Sequence, residues 1–163
     1  MTTSVTAPTT TPAPDVSIQA EPFDAAHEIA VLTRDLHGRA GAIVTFTGLC
    51  RDEGGRLTGL ELEHYPGMAE AEIGRVVADA RARWPLQAVR VIHRHGLVAP
   101  GDGIVLVVAA SGHRIAAFEA ASFLMDYLKT RAPFWKREHL VGGAVGGWVE
   151  ATQADDEAAA RWA

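Results

Sequence analysis

The stretch Ile104-Val-Leu-Val-Val-Ala-Ala110 constrains this chain more than any other part of it. It is apolar at every position, so it has no face to offer to water. A strand of that kind belongs inside a sheet, with both faces covered. The rest of the chain must supply the cover. Val16 to Ala20 alternates and reads as a first strand. Asp24 can cap a helix running to about Leu36, with Ile29, Leu32 and Leu36 on one face, and Gly38 and Gly41 end it. Ala42 to Thr47 is a β-branched strand. A polar loop, Arg51 to Arg56, leads to a strand from Leu57 to His64, and these two strands are expected to pair as a hairpin.

Tyr65 to Met68 is a turn. Met68 to Trp84 reads as a long helix with Ile73, Val76, Val77 and Ala80 on its inner side, and Pro85 stops it. Val89 to His95 is a strand and Val98 to Gly103 a turn. After the apolar strand a helix runs from about Arg114 to Arg131, and Pro133 bars its continuation. Phe134 to Glu138 is extended, Val141 to Gly147 is a glycine-rich loop, and Trp148 to Glu150 is a last short strand. A C-terminal helix ends at Trp162. The order predicts an α+β domain with a mainly antiparallel sheet and flanking helices. Residues 15–163 are expected to form one domain. Residues 1–14, rich in Thr, Pro and Ala, read as a disordered tail.

Composition narrows the function. The 163 residues are 48% hydrophobic, which suits one soluble domain with a sizeable core. A net charge of −5 argues against a general nucleic-acid binder. No apolar run approaches the roughly 20 residues of a membrane span. The single cysteine, Cys50, excludes an intramolecular disulfide and fits a reducing cytosol, so a cytoplasmic location is expected.

Against that acidic background the cations are unevenly chosen. Thirteen are arginines and two are lysines, Lys129 and Lys136, both within Tyr127-Leu-Lys-Thr-Arg-Ala-Pro-Phe-Trp-Lys-Arg-Glu138. A lysine amine can lose its proton when desolvated or crowded by other cations, and an arginine cannot. Arg131 and Arg137 are expected to lower a lysine pKa there by like-charge repulsion. Two readings stand: a chemical site, or the chance residue of an arginine-rich composition. Lys129 in the last turn of a helix is also favoured by the dipole alone.

Three further segments carry candidate chemistry. Ser111-Gly-His-Arg114 precedes a helix, so free N–H groups coincide with the basic His113 and Arg114; this suits a phosphate, or else is a plain loop capped by Ser111. Phe46-Thr-Gly-Leu-Cys-Arg51 ends a strand with a glycine and a guanidinium. Cys50 beside Arg51 is either a thiol of lowered pKa or a small buried apolar residue. His93 and His95 face one way on a strand, but no third ligand stands at metal spacing.

Taken together these segments resemble the large, catalytic subunit of molybdopterin synthase. The resemblance runs from about Val16 to Trp162. It is carried by Gly41–Gly48 with Arg51, Leu62-Glu-His-Tyr-Pro-Gly-Met68, Val91-Ile-His-Arg-His-Gly96, Pro100-Gly-Asp102, His113-Arg114 with Ala117–Ala120, Met125–Glu138, and the closing Trp148-Val-Glu-Ala and Arg161-Trp162. It implies an α/β-hammerhead fold. The implied activity is sulfur transfer from the thiocarboxylated C-terminal Gly-Gly of a small ubiquitin-like carrier subunit to cyclic pyranopterin monophosphate, making the dithiolene of molybdopterin. It also implies a homodimer within a heterotetramer, and no metal or other cofactor.

By the resemblance, Lys129 and Lys136 fall on the active-site lysines. Arg51, His113 and Arg114 fall on substrate-phosphate and pterin contacts. Lys136, Arg137 and Glu138 form a second substrate-lining run, and Leu49, Cys50 and Arg51 a loop that touches substrate. The alternative is a non-catalytic pterin-phosphate binding or scaffold protein, which would have no need of the two lysines. A metal-dependent hydrolase using His93, His95 and His113 is a further rival that bound metal would reveal.

Overall fold

The computed structural model of this chain describes residues 14–149 and 152–163, so almost all of the expected tail lies outside the described residues. Among these described residues eight strands and four helices follow in the order β1 (Val16–Gln19), α1 (Ala25–Leu36), β2 (Ala42–Leu49), β3 (Leu57–His64), α2 (Met68–Arg83), β4 (Leu86–Arg94), β5 (Gly96–Val98), β6 (Gly103–Ser111), α3 (Arg114–Thr130), β7 (Phe134–Leu140), β8 (Val145–Val149) and α4 (Gln153–Ala160). The α+β class holds, with two four-stranded sheets, β1-β4-β6-β2 and β5-β3-β7-β8. All pairings are antiparallel except β1 with β4.

The apolar run forms β6, an interior strand between β4 and β2. One face, with Val105 and Val107, packs under α2 and α3 against Ile73, Val77, Phe123 and Leu124. The other, with Leu106 and Val108, meets Phe23, Ile29 and Leu32 around α1. Each fully buried Val or Leu contributes about 1.5–3 kcal/mol relative to exposure, so this strand anchors the first sheet. Asp24 caps α1 by accepting a hydrogen bond from the His27 N–H at 3.1 Å, as its position predicts.

The expected β2–β3 hairpin does not form. β2 pairs with β6, and β3 pairs with β5 and β7 in the other sheet. Beyond β2 the Cys50 N–H donates to the Asp102 carbonyl at 2.9 Å and Gly101 N–H donates to the Cys50 carbonyl at 2.7 Å, which draws the chain away from the first sheet. Loop 51–56 then crosses between the sheets through Glu53, Gly54 and Gly55, all at positive φ. β3 finds in β7 the charge partners that β2 lacks: Glu61 faces Arg137 and His139.

The expected glycine loop 141–147 is shorter than its composition implies. Only residues 141–144 turn, and Val145 already begins β8. Phe134, at the start of β7, packs on the main core and also on the smaller core of Cys50, Leu57, Leu62 and Val98, joining the two sheets. At the chain's end Trp162 donates its indole N–H to Asp126 at 2.6 Å and Arg161 pairs with the same carboxylate at 2.8 Å. These bonds tie the end of α4 to α3.

Candidate active site

Pro133 separates the two lysines in direction. α3 stops before it, leaving Lys129 in the last helical turn, and the chain reverses into β7, where Lys136 is the third residue. Both side chains line the same two cavities, and so do His93 and Leu128. One cavity is narrow, about 90 Å³, and walled by Phe46, Gly48, Leu49, Ile104, Val105 and Met125. Gly48 sits where a side chain has no room, because a Cβ there would lie 2.7 Å from Val105 Cγ1. The other is larger, about 660 Å³, and mixes Arg51, Thr152 and Asp155 with the half-exposed residues Trp135 and Trp148. The lysines stand where the two meet.

Burial pushes the Lys136 ammonium below the usual lysine range, and the charge of Lys129 adds to this while Asp155 opposes it. The expected role of the arginines as the depressing charges is thereby corrected. Arg131 lies over the Tyr127 ring at 4.2 Å. Arg137, one position from Lys136 on a strand, points to the opposite face, where it binds Glu61 at 2.6 and 3.1 Å and covers Trp148. Arg137 therefore lines neither cavity. Glu138 pairs with Arg56 at 3.1 Å and also stands outside the lining.

His93 is the most enclosed polar group of the site, 5% exposed, with its ring stacked on Phe134 at 3.8 Å. Burial, followed by the charges of Lys136, Lys129 and His64, brings its pKa down to about 4 against the raising effect of its bond to the Arg94 carbonyl. His95 instead lies against His64, with ring centroids 4.6 Å apart. Among the described residues no group of three or more His, Cys, Asp or Glu is placed to hold a metal ion.

Leu49 and Arg51 lie on the cavity walls. Arg51 is largely exposed and engages Glu53 at 3.2 Å. Cys50 between them points into the small core, where burial pushes its thiol up rather than down, with Asp102 and Glu53 adding to the effect. Of the two readings of Cys50, the small buried residue is the one that holds, and Arg51 does not lower its pKa. His113 and Arg114 lie elsewhere. They begin α3, and fifteen residues of helix separate Arg114 from Lys129, about 22 Å at 1.5 Å per residue. Ser111 is not the cap of this helix; its hydroxyl donates to the Pro85 carbonyl at 2.9 Å, and His113 occupies the cap position.

Sequence reasoning missed the start of α4. Thr152 caps it, accepting from the Asp155 N–H while the Asp155 carboxylate accepts from Thr152 N–H and hydroxyl. Burial raises the Asp155 pKa, but the Thr152 hydrogen bonds and the charges of both lysines outweigh it and hold the carboxylate ionised. The signal was present as a Thr-x-x-Asp spacing.

A family model described as MoaE protein matches residues 18–131. This chain belongs to the MoaE family. A molybdopterin synthase catalytic subunit of Mesorhizobium japonicum is 67% identical over 152 residues, spanning 92% of this chain and 94% of that one. The solved molybdopterin biosynthesis MoaE protein from Burkholderia ambifaria is 44% identical, with a TM-score of 0.77 over 90% of this chain and 96% of that one. At 19% identity the fold also matches, with a TM-score of 0.70 over 86% of this chain and 92% of the other, a protein–protein complex of subunits 1 and 2 of molybdopterin-converting factor from Helicobacter pylori.

Proposed function

We propose that this chain is the sulfur-transferring subunit of a molybdopterin synthase, acting in molybdenum cofactor biosynthesis. It takes sulfur from the thiocarboxylated Gly-Gly end of a small ubiquitin-like carrier and passes it to cyclic pyranopterin monophosphate. The observation that carries this reading is the pair of cavities joined at Lys129 and Lys136. Two reactants that arrive from different sides need one meeting point. The narrow apolar cavity suits an extended, glycine-ended tail, and the larger one suits a phosphorylated heterocycle. At the junction an ammonium stabilises the oxyanion that develops on the carrier's acyl carbon, and burial concentrates that effect. On binding, Arg51 leaves Glu53 for the substrate phosphate, a bidentate exchange that a guanidinium makes well.

The separation of His113 and Arg114 from the lysines supports a homodimer in which a second copy brings them to the site. Ile115 and Phe118 on the same end of α3 are 65% and 62% exposed, and β2 is an edge strand of its sheet, so an apolar face is free there. Two such dimerised chains, each with one carrier, make the heterotetramer. Among the described residues no helix is long and apolar enough to cross a membrane, and a cytoplasmic site of action fits the buried, protonated Cys50 thiol. Incubating the chain with thiocarboxylated carrier and cyclic pyranopterin monophosphate tests the reading: dithiolene product is expected, and a pterin that comes back unchanged would refute it.

A further inference from the structure

His93 has one ring nitrogen committed and one not. Its Nδ1 lies 2.9 Å from the Arg94 carbonyl oxygen, which can only accept, so Nδ1 carries the proton. The neutral ring then has its lone pair on Nε2. Among the described residues no hydrogen-bond partner engages that atom, although the residue is 5% exposed and lines both cavities. The stack on Phe134, 14° from parallel, holds the ring plane. An uncharged acceptor is thus fixed at the junction where two cations meet.

We propose that His93 is a positioning residue of this site: its Nε2 lone pair accepts a hydrogen bond from the Lys136 ammonium and sets where that head group stands as the reactants enter. The proposal rests on the lysine-centred reading above. Two ammonium groups at one junction repel each other, and a neutral acceptor keeps the more buried of them, Lys136, protonated and directed without adding a charge that would neutralise the site. Lys136 is preferred over Lys129 because it stands two residues from Phe134 in β7, on the strand face whose Phe134 ring stacks on His93. The charged and titratable groups facing this point are Lys129 from α3, Lys136 from β7 and His64 from β3, with Arg51 and Asp155 farther along the cavity wall. None of these offers an uncharged acceptor fixed against the lysines, because His64 is engaged with the His95 ring.

Two variants in the assembled enzyme separate this role from packing. His93→Gln puts an amide oxygen close to where Nε2 stood. His93→Phe keeps a flat ring against Phe134 and removes the acceptor. His93→Phe is expected to lower kcat about 10- to 100-fold, the effect of one hydrogen bond to a charged group, with KM for the phosphorylated substrate within about twofold. The alkaline limb of its pH–rate profile should move to lower pH, because the Lys136 ammonium has lost a partner. His93→Gln should recover most of kcat. A wild-type rate for His93→Phe, or equal losses in both variants with the alkaline limb unmoved, would overturn the proposal.

A second measurement needs no turnover. Nitrogen NMR of the imidazoles in the full chain should find His93 protonated on Nδ1, and Lys136→Met should move its Nε2 resonance more than Lys129→Met does. A ring protonated on Nε2, or an Nε2 resonance indifferent to Lys136→Met, refutes the assignment. If the unsubstituted enzyme makes no dithiolene, the proposed function fails while this measurement still decides the fate of His93.

Discussion

Lys136 and Arg137 are neighbours in β7 and serve opposite faces of the sheet. Lys136 turns into the junction of the two cavities, and Arg137 turns out to grip Glu61 with two hydrogen bonds, at 2.6 and 3.1 Å. Strand alternation therefore puts a cavity-lining cation and a structural one side by side in the sequence.

The structural side of this pair predicts a pH signature. The Arg137 bond, then the His139 bond, hold the Glu61 carboxyl at about 2, down from 4.5. A carboxyl whose folded pKa is depressed adds stability that is fully present above its unfolded pKa and is lost as pH falls through the folded one. Glu61→Gln should flatten the slope of stability between pH 4.5 and 2, read as urea midpoints across that range. Arg137→Ala should lower the midpoint at neutral pH and leave substrate KM unchanged. A rise in KM without loss of stability would put Arg137 back among the substrate contacts.

The proposed role of the lysines predicts a charge-conserving failure. Lys129→Arg keeps the cation and removes the compact, deprotonatable head. It should cost about 10²–10³ in kcat, the scale of losing a directed oxyanion donor, with circular dichroism and oligomeric state unchanged. Lys136→Arg should also impair turnover, because a guanidinium is bulkier than the buried space left for an ammonium. Near wild-type turnover by Lys129→Arg would sink the lysine argument.

What the sequence revealed follows from which forces leave local marks. Burial on both faces leaves an unbroken apolar run, so β6 was legible as an interior strand. Amphipathic spacing gave α2 its inner face of Ile73, Val76, Val77 and Ala80, all buried. The scarcity of lysine pointed at Lys129 and Lys136. Pairing leaves no such mark: β2 and β3 are adjacent and of hairpin-like spacing, and only the alternation of Glu61 and Glu63 with apolar residues hinted at the basic strand β7 as the partner. Side-chain direction was equally hidden. Arg131 and Arg137 are close to the lysines in sequence, but one lies on Tyr127 and the other behind the sheet. The distance from His113 and Arg114 to Lys129, by contrast, was legible, because the single helix expected from about Arg114 to Arg131 forms as Arg114–Thr130.

The depressed pKa of Lys136 predicts selective chemistry on the unliganded chain. Because burial and then the charge of Lys129 lower it, more of Lys136 is neutral amine at mildly alkaline pH than an exposed lysine would have. Reductive methylation followed by peptide mass spectrometry should give Lys136 a midpoint below the usual lysine range. Lys129→Met should raise that midpoint towards 10.5 without restoring it fully, since burial is the larger cause. An unmoved midpoint would mean that the two ammonium groups do not sense each other across the junction.

The proposed homodimer predicts complementation between inactive chains. If His113 and Arg114 act on the site of the partner copy, Lys129→Ala and Arg114→Ala damage different halves of each site. In a mixed dimer one site then carries both lesions and the other carries none. Random exchange of the two variants makes half the dimers mixed, so about a quarter of all sites should be intact. Each variant alone should stay near background, and co-refolding the pair should restore activity to about that fraction of wild type. If Arg114 acted on the lysines of its own chain, every site in the mixed dimer would carry one lesion and mixing would restore nothing. The α3 length of 17 residues, which keeps Arg114 a helix away from Lys129, is the reason to expect recovery. Ile115→Glu, placed on the exposed face beside Arg114, should abolish both the dimer by light scattering and the recovery.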